Sequence, residues 1–303
     1  MNLFTVNRMK IVMRNYSKII VAIGLLCLAG YGVYYKVSSY YSLAYPKLNF
    51  EQSCPDSAGL RPIFTWNNDN APYLEKLRQK FGLDAIVIDY HTDLEKILAI
   101  TNWVHHLWEH NGDNAPEKSD PISVLTEVIE DKKQFRCVEY SNVTAGCLNA
   151  LGIPARTLSL RTADVETRAY GAGHVVIEAY LAELNTWIMV DTQANVIPVL
   201  DGKPLNAVEL QEALAQKPSG LTIMSHAPGA TFDEYVSFIK PYLYYFQTAL
   251  EQSYNDDSHQ IAKSVMLVPI GAKNPTIFQI TSPIVNVEYT HSVACFYQKP
   301  VMI

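Results

Sequence analysis

The sequence predicts an α+β domain in which helices come first and an antiparallel sheet follows, preceded by one transmembrane helix. Three observations carry this. Apolar residues recur at helical spacing, with recognisable caps, between about residues 73 and 151. After Pro154 the pattern changes to short runs rich in β-branched and aromatic residues. Ahead of both, an uncharged stretch at 19–35 follows a basic segment.

That basic segment, 1–18, carries Arg8, Lys10, Arg14 and Lys18 and no acidic residue. The seventeen residues of 19–35 are at the short end for a bilayer span and long for a signal-peptide core. The basic flank places the N-terminus in the cytoplasm, and Tyr31, Tyr34 and Tyr35 suit an interfacial aromatic belt. The expectation is an uncleaved signal anchor with the rest of the chain periplasmic or extracellular. Cleavage near Leu28-Ala29-Gly30 is the alternative. Residues 36–71 read as a tether, leaving 72–303 as the folded domain, with a core at about 92–198 and an extension at 199–303.

A first helix is predicted over 73–81, stopped by Gly82. The next begins at Thr92, where Thr-Asp-Leu-Glu forms a capping box with Glu95. A third starts after Asp120 with Pro121 at its first position. The fourth carries Tyr140, Val143, Thr144, Cys147, Leu148 and Leu151 as its apolar stripe and ends at Gly152. Strands follow at 155–160, 174–181 and 184–191. The last two form a hairpin whose register matters: a two-residue turn sets His174 opposite Asp191, and a four-residue turn sets them diagonally on one face. A three-residue turn separates them onto opposite faces. Helices are expected at 205–217 and 231–254, and short strands at 265–270, 277–280 and 285–297.

A hydrophobic content of 49% and a charged content of 18% over 303 residues are those of a packed globular chain. The net charge of -6 and the scattered basic residues argue against nucleic-acid binding. Of five cysteines, Cys27 lies in the predicted anchor and Cys147 within a helix, while Cys54 and Cys295 are free to pair.

The chemistry centres on Cys137, His174 and Asp191. Cys137 stands at the head of the fourth helix, His174 opens one strand and Asp191 closes the next. A helix N-terminus and an imidazolium both favour a thiolate, the reactive form of cysteine. His174 follows Gly-Ala-Gly, which lets the backbone approach closely. Other polar residues have plainer readings. Arg156 and Glu178 suit a structural ion pair, and the aromatic cluster at 242–246 suits a core. His105, His106 and His110 suit a solvated helix end, since no third metal ligand is evident.

Residues 92–198 together resemble the transglutaminase-like superfamily, with its papain-type helix on an antiparallel sheet. The matching pieces are Cys137 followed by Glu139-Tyr140, the run Gly152-Ile-Pro-Ala-Arg156, His174 with Glu178 on its strand, and Trp187-Ile-Met-Val-Asp191. The resemblance implies Cys137 as nucleophile, His174 as base and Asp191 as the group orienting it. Three positions depart from the family pattern: Phe135 stands two before the cysteine, Val175 after the histidine and Thr192 after the aspartate. Gln134 or Trp103 are candidates for an oxyanion donor beside the Cys137 N–H, and Glu178 for a residue that supports His174 from the same strand. No metal and no cofactor is implied. The expected substrate is an amide of a protein, a peptide or peptidoglycan-like material, cleaved by water or transferred to an amine. The alternative is a non-catalytic peptide- or cell-wall-binding module on the same fold.

Overall fold

Caps and apolar spacing place the first helices where the sequence predicts them. The computed structural model describes residues 45–54, 62–66, 71–226, 231–252, 254 and 262–301, and from Lys47 onward the chain is one compact unit. The expected membrane span at 19–35 lies outside the described residues. Among those described, no helix is long and apolar enough to cross a membrane.

After a two-residue strand β1 (Thr65–Trp66) come α1 (Ala71–Lys80) and the single turn α2 (Leu83–Ile86), separated by Gly82 at φ 61°. In α3 (Asp93–His105) the Thr92 side chain accepts from the Glu95 N–H, and the Glu95 carboxylate accepts from the Thr92 N–H. Asp120 accepts from the Ser123 N–H to cap α4 (Pro121–Asp131). The central helix is α5 (Cys137–Ala150). Its Val143, Ala145, Cys147 and Leu148 are buried in one core with Leu77, Ile97, Ile100 and Leu125. Gly146 lets α4 approach, because a Cβ there would lie 2.6 Å from Pro121 Cγ.

The strands that follow are β2 (Ala155–Arg161), β3 (Gly173–Leu181), β4 (Thr186–Val190), β5 (Ile197–Leu200) and β6 (Lys203–Pro204). Then come α6 (Ala207–Gln216), β7 (Leu221–Met224), α7 (Phe232–Ile239), β8 (Tyr245–Ala249) and β9 (Glu251–Gln252). The chain closes with β10 (Ser264–Leu267), β11 (Ile277–Phe278), β12 (Ser282–Pro283), β13 (Val287–Thr290) and α8 (Val293–Phe296). The main sheet has the order β13-β10-β8-β2-β3-β4. Ile177, Ala179 and Leu181 of β3 face the helical core.

Four features differ from the sequence reading. The run expected as a strand over 285–297 holds β13 and then turns into α8, capped by the Ser292 hydroxyl, which accepts from the Cys295 N–H. The helix expected over 231–254 ends at Ile239: Pro241 closes a short 3₁₀ turn, and the aromatic run after it becomes β8, between β2 and β10. The sheet is not wholly antiparallel, because its edge strand β13 runs parallel to β10. Part of the stretch expected as a tether is packed against the domain. Phe64 and Trp66 are buried, and Cys54 is bonded to Cys295 across 241 residues of sequence.

The C-terminal extension is locked onto the sheet by a buried charge cluster. Arg156 on β2 and Glu178 opposite it on β3 are both fully buried and meet at 2.8 Å. The Tyr297 hydroxyl donates to Glu178 at 2.7 Å, Arg156 donates to the Phe296 carbonyl, and Trp187, Phe64 and Phe296 surround the guanidinium. Removing one partner strands the other charge, which costs about 3–5 kcal/mol. Glu178→Ala is therefore expected to lose about that much stability in urea unfolding. A loss below about 1 kcal/mol would show that the cluster does not hold the extension.

Candidate active site

Cys137 is the first residue of α5, and the turn before it is fixed by its neighbours. Arg136 is extended, its N–H donates to Glu139 Oε2 at 3.1 Å, and its guanidinium meets Glu139 Oε1 at 2.8 Å. The first N–H groups of a helix have no intrahelical partner and point out of its positive end. Cys137, half-buried, sits at that end. Two bonds tie the start of α5 to its surroundings: the Ser141 hydroxyl donates to the Val175 carbonyl at 2.9 Å, and the Tyr140 hydroxyl to the Trp108 carbonyl. Phe135, a departure from the family pattern, is fully buried edge-on to Trp108.

The hairpin that carries the other two residues has a four-residue turn at 182–185, with Leu181 paired to Thr186 and Ile177 to Val190. The diagonal arrangement is thus the one present. His174 Nε2–H donates to Asp191 Oδ2 at 2.8 Å, with the two side chains 3% and 0% exposed. Asp191 also accepts from the Ala194 N–H at 3.2 Å, and its backbone pairs with Val196 across a tight turn containing Asn195 at φ 55°. Helices hold that turn from behind. The Thr192 hydroxyl donates to Thr144 of α5, His105 Nδ1–H to the Thr192 carbonyl, and the Asn195 amide to Asn102. Thr192, where the family pattern has proline, thereby joins the aspartate's turn to the helix of Cys137.

Aromatic residues close over the imidazole. The Phe238 ring stands edge-on 5.0 Å from His174, and Tyr242 lies at 5.8 Å. Burial alone pulls His174 down. The Asp191 charge and hydrogen bond, together with the Cys137 thiol, overcome this and push it up to about 10. With Nε2 committed to Asp191, Nδ1 is the ring nitrogen left for the thiol. The Tyr235 hydroxyl is buried near the same carboxylate without a well-formed hydrogen bond. Burial first, and then the Asp191 charge, raise that phenol well above its ordinary value.

Cys137 and His174 open onto a cavity of about 420 Å³ between the ends of β2, β3 and β8 and the β11–β12 hairpin. Gly173 makes room for that hairpin, since a Cβ there would lie 3.1 Å from the Phe278 ring. The remaining candidates from the sequence lie elsewhere. Trp103 lines a separate cavity with Tyr90, His106 and His226. Gln134 is exposed in the segment leading to Cys137, and its carbonyl accepts from Asn114. Glu178 is four residues from His174 along β3, roughly 13 Å away, and engaged by Arg156. Among the described residues, no group of three or more His, Cys, Asp and Glu is placed to hold a metal ion. Sequence reasoning did not single out Tyr235, Phe238, Phe278 or Arg161, which surround the site. Their signals were a helix-like aromatic stretch, a short strand and the last residue of a strand.

A helix headed by Cys137 thus meets a sheet that bears the His174–Asp191 pair. Residues 82–192 match the sequence model of the transglutaminase-like superfamily, and this segment, which holds Cys137, His174 and Asp191, is transglutaminase-like. No curated protein matches the chain. Among solved structures it is similar to a candidate cysteine protease from Cytophaga hutchinsonii, with 18% identity, 60% of this chain and 57% of that one covered, and a TM-score of 0.33. A structure described as a TGase shares 15% identity over 54% of this chain and 37% of its own, with a TM-score of 0.30. A candidate protease from Parabacteroides distasonis shares 13% over 42% and 28%, with a TM-score of 0.29. Each match spans less than two thirds of the other protein.

The raised His174 gives a signed prediction. A histidine whose folded pKa exceeds its unfolded value adds stability that is complete below about 6.5 and is lost as pH rises through about 10. By NMR the His174 ring is expected to titrate near 10 and, in Asp191→Asn, to titrate well below that, since burial then dominates. An unmoved titration in Asp191→Asn would rule out Asp191 as the cause.

Proposed function

We propose that this protein is a thiol-dependent acyl-transfer enzyme acting on amide bonds, with Cys137 as nucleophile, His174 as proton carrier and Asp191 as the residue that holds His174. The observation that carries this is the buried His174–Asp191 hydrogen bond of 2.8 Å, facing a cavity that also receives Cys137 from the positive end of α5. A merely structural histidine has no need of a charged partner, a neighbouring thiol and an open cavity together.

In this reading the Cys137 sulfur attacks the amide carbon. An S–C bond forms and the carbonyl electrons move to oxygen, next to the N–H of Cys137. As the C–N bond breaks, His174 gives its proton to the leaving amine, and a thioester remains. Water, or an amine, then gives a proton to His174, attacks the thioester and releases the sulfur. Asp191 stays ionised and stabilises the imidazolium. Of the two proposed oxyanion donors Gln134 is kept, because it is near Cys137 in the chain while Trp103 lines the other cavity. Hydrolysis is the preferred outcome.

We also assign the domain to the extracytoplasmic side of a membrane, held by the 19–35 segment. The Cys54–Cys295 disulfide supports an oxidising surrounding.

The test is turnover of a peptide library by the wild type and Cys137→Ala, with and without an added primary amine. The wild type is expected to cleave a subset of peptides, with a loss of about a thousandfold or more in Cys137→Ala. Equal, near-zero turnover in both forms would sink the catalytic reading for those substrates. Amine incorporation would replace hydrolysis with transfer.

A further inference from the structure

Two arginines sit on β2, and their surroundings differ in one respect that bears on the substrate. Arg156 is neutralised by Glu178. Arg161, at the end of the same strand, lines the cavity that receives Cys137 and His174. Among the described residues no carboxylate pairs with it. Its Nε and Nη2 donate to the neutral Gln247 side-chain oxygen at 3.1 and 2.5 Å, and the Phe278 ring packs 4.8 Å from its guanidinium carbon. Nη1 has no hydrogen-bond acceptor among those residues. Gln247 is itself fixed, since its amide donates to the Ser264 hydroxyl at 2.8 Å. The guanidinium is therefore oriented by two neighbours and electrically unbalanced.

None of the residues lining the cavity is acidic; its ionisable ones are Arg161, His174 and the Cys137 thiol. The C-terminal extension adds an apolar lining of Phe278, Pro283, Ile284 and Val285. Burial lowers Arg161 to about 10, so it stays charged at neutral pH. A partly buried charge without a counter-ion is costly unless a ligand completes it, and a planar guanidinium matches a carboxylate through two parallel bonds.

We propose that Arg161 is a specificity residue that binds a carboxylate of the substrate within the cavity beside Cys137, selecting amides that carry an acidic group near the bond attacked. This rests on the thiol-enzyme reading above. The carboxylate can come from an acidic side chain or from a free chain terminus, both of which offer the same two oxygens.

Two alkylating reagents of nearly equal size report on it. Iodoacetate carries a carboxylate and iodoacetamide a neutral amide. With either, the Cys137 sulfur forms an S–C bond and expels iodide. The ratio of their rates at Cys137, read by peptide mass mapping, is expected to fall about tenfold or more in Arg161→Gln and to recover in part in Arg161→Lys. An unchanged ratio in a folded Arg161→Gln overturns the carboxylate site while leaving the thiol enzyme standing. A Cys137 no faster than a free thiol toward both reagents overturns the catalytic reading, and this one with it. Should Arg161→Gln fail to fold, protection of wild-type Cys137 from iodoacetamide decides. One arm compares peptides with an internal Glu or Gln, the other a free or amidated C-terminus. Stronger protection by the acid in either arm supports the proposal and names the source. Equal protection by acid and amide in both arms overturns it.

Discussion

The hydrogen bond between His174 and Asp191 is the interaction on which the remaining architecture converges. An imidazole at 3% exposure would ordinarily be neutral, because burial disfavours its charge. The carboxylate beside it reverses that preference. Such a pair persists only where the geometry is held from several sides, and here it is. The four-residue turn of the β3–β4 hairpin fixes the diagonal register. The Ala194 N–H orients the free oxygen of the carboxylate. Thr144 of α5 and His105 and Asn102 of α3 hold the backbone that follows. One helix therefore supplies the thiol at its head and, two turns later, a support for the aspartate.

The residues after 198 complete the site as well as extending the domain. They contribute β8, β10 and β13 to the main sheet and α7, whose Phe238 covers His174. The β11–β12 hairpin forms the far wall of the cavity. Its tip contains Gln279 and Ile280 at φ 49° and 68°, a left-handed conformation that a β-branched residue rarely adopts. Gln279 is held there because its side chain accepts from the Ala172 N–H and its own N–H donates to Val165. The buried Arg156–Glu178 cluster and the Cys54–Cys295 bond tie the end of the chain back to the sheet and to its beginning. The wall and Cys137 are thereby parts of one packed unit.

How much of this was legible in the sequence follows from how local each signal is. The caps at Thr92 and Asp120 and the cysteine-headed helix depend on residues three or four apart, and they stand where predicted. The hairpin register was narrowed to two compatible choices, and the pairing of Leu181 with Thr186 selects the four-residue turn. The stretch at 231–254 misled because Tyr and Phe suit helix and strand alike. Its fate was set by the open sheet edge beside β2, a long-range partner that periodicity does not report. Arg161 was invisible for a similar reason. A charged residue ending a strand is ordinary until the fold shows that Gln247 and Phe278, more than eighty residues away, are its neighbours.

Whether the buried imidazolium arms the thiol, as proposed, is measured most directly by the rate at which iodoacetamide alkylates Cys137 at neutral pH. Cys147 serves as an internal control, since burial pushes its thiol up well above the ordinary value and shields it. Cys137 in the folded protein is expected to react about tenfold or more faster than an unstructured cysteine, and His174→Ala to remove this advantage while the fold persists. A Cys137 that reacts at the rate of a free thiol, or at the same rate with and without His174, would contradict it.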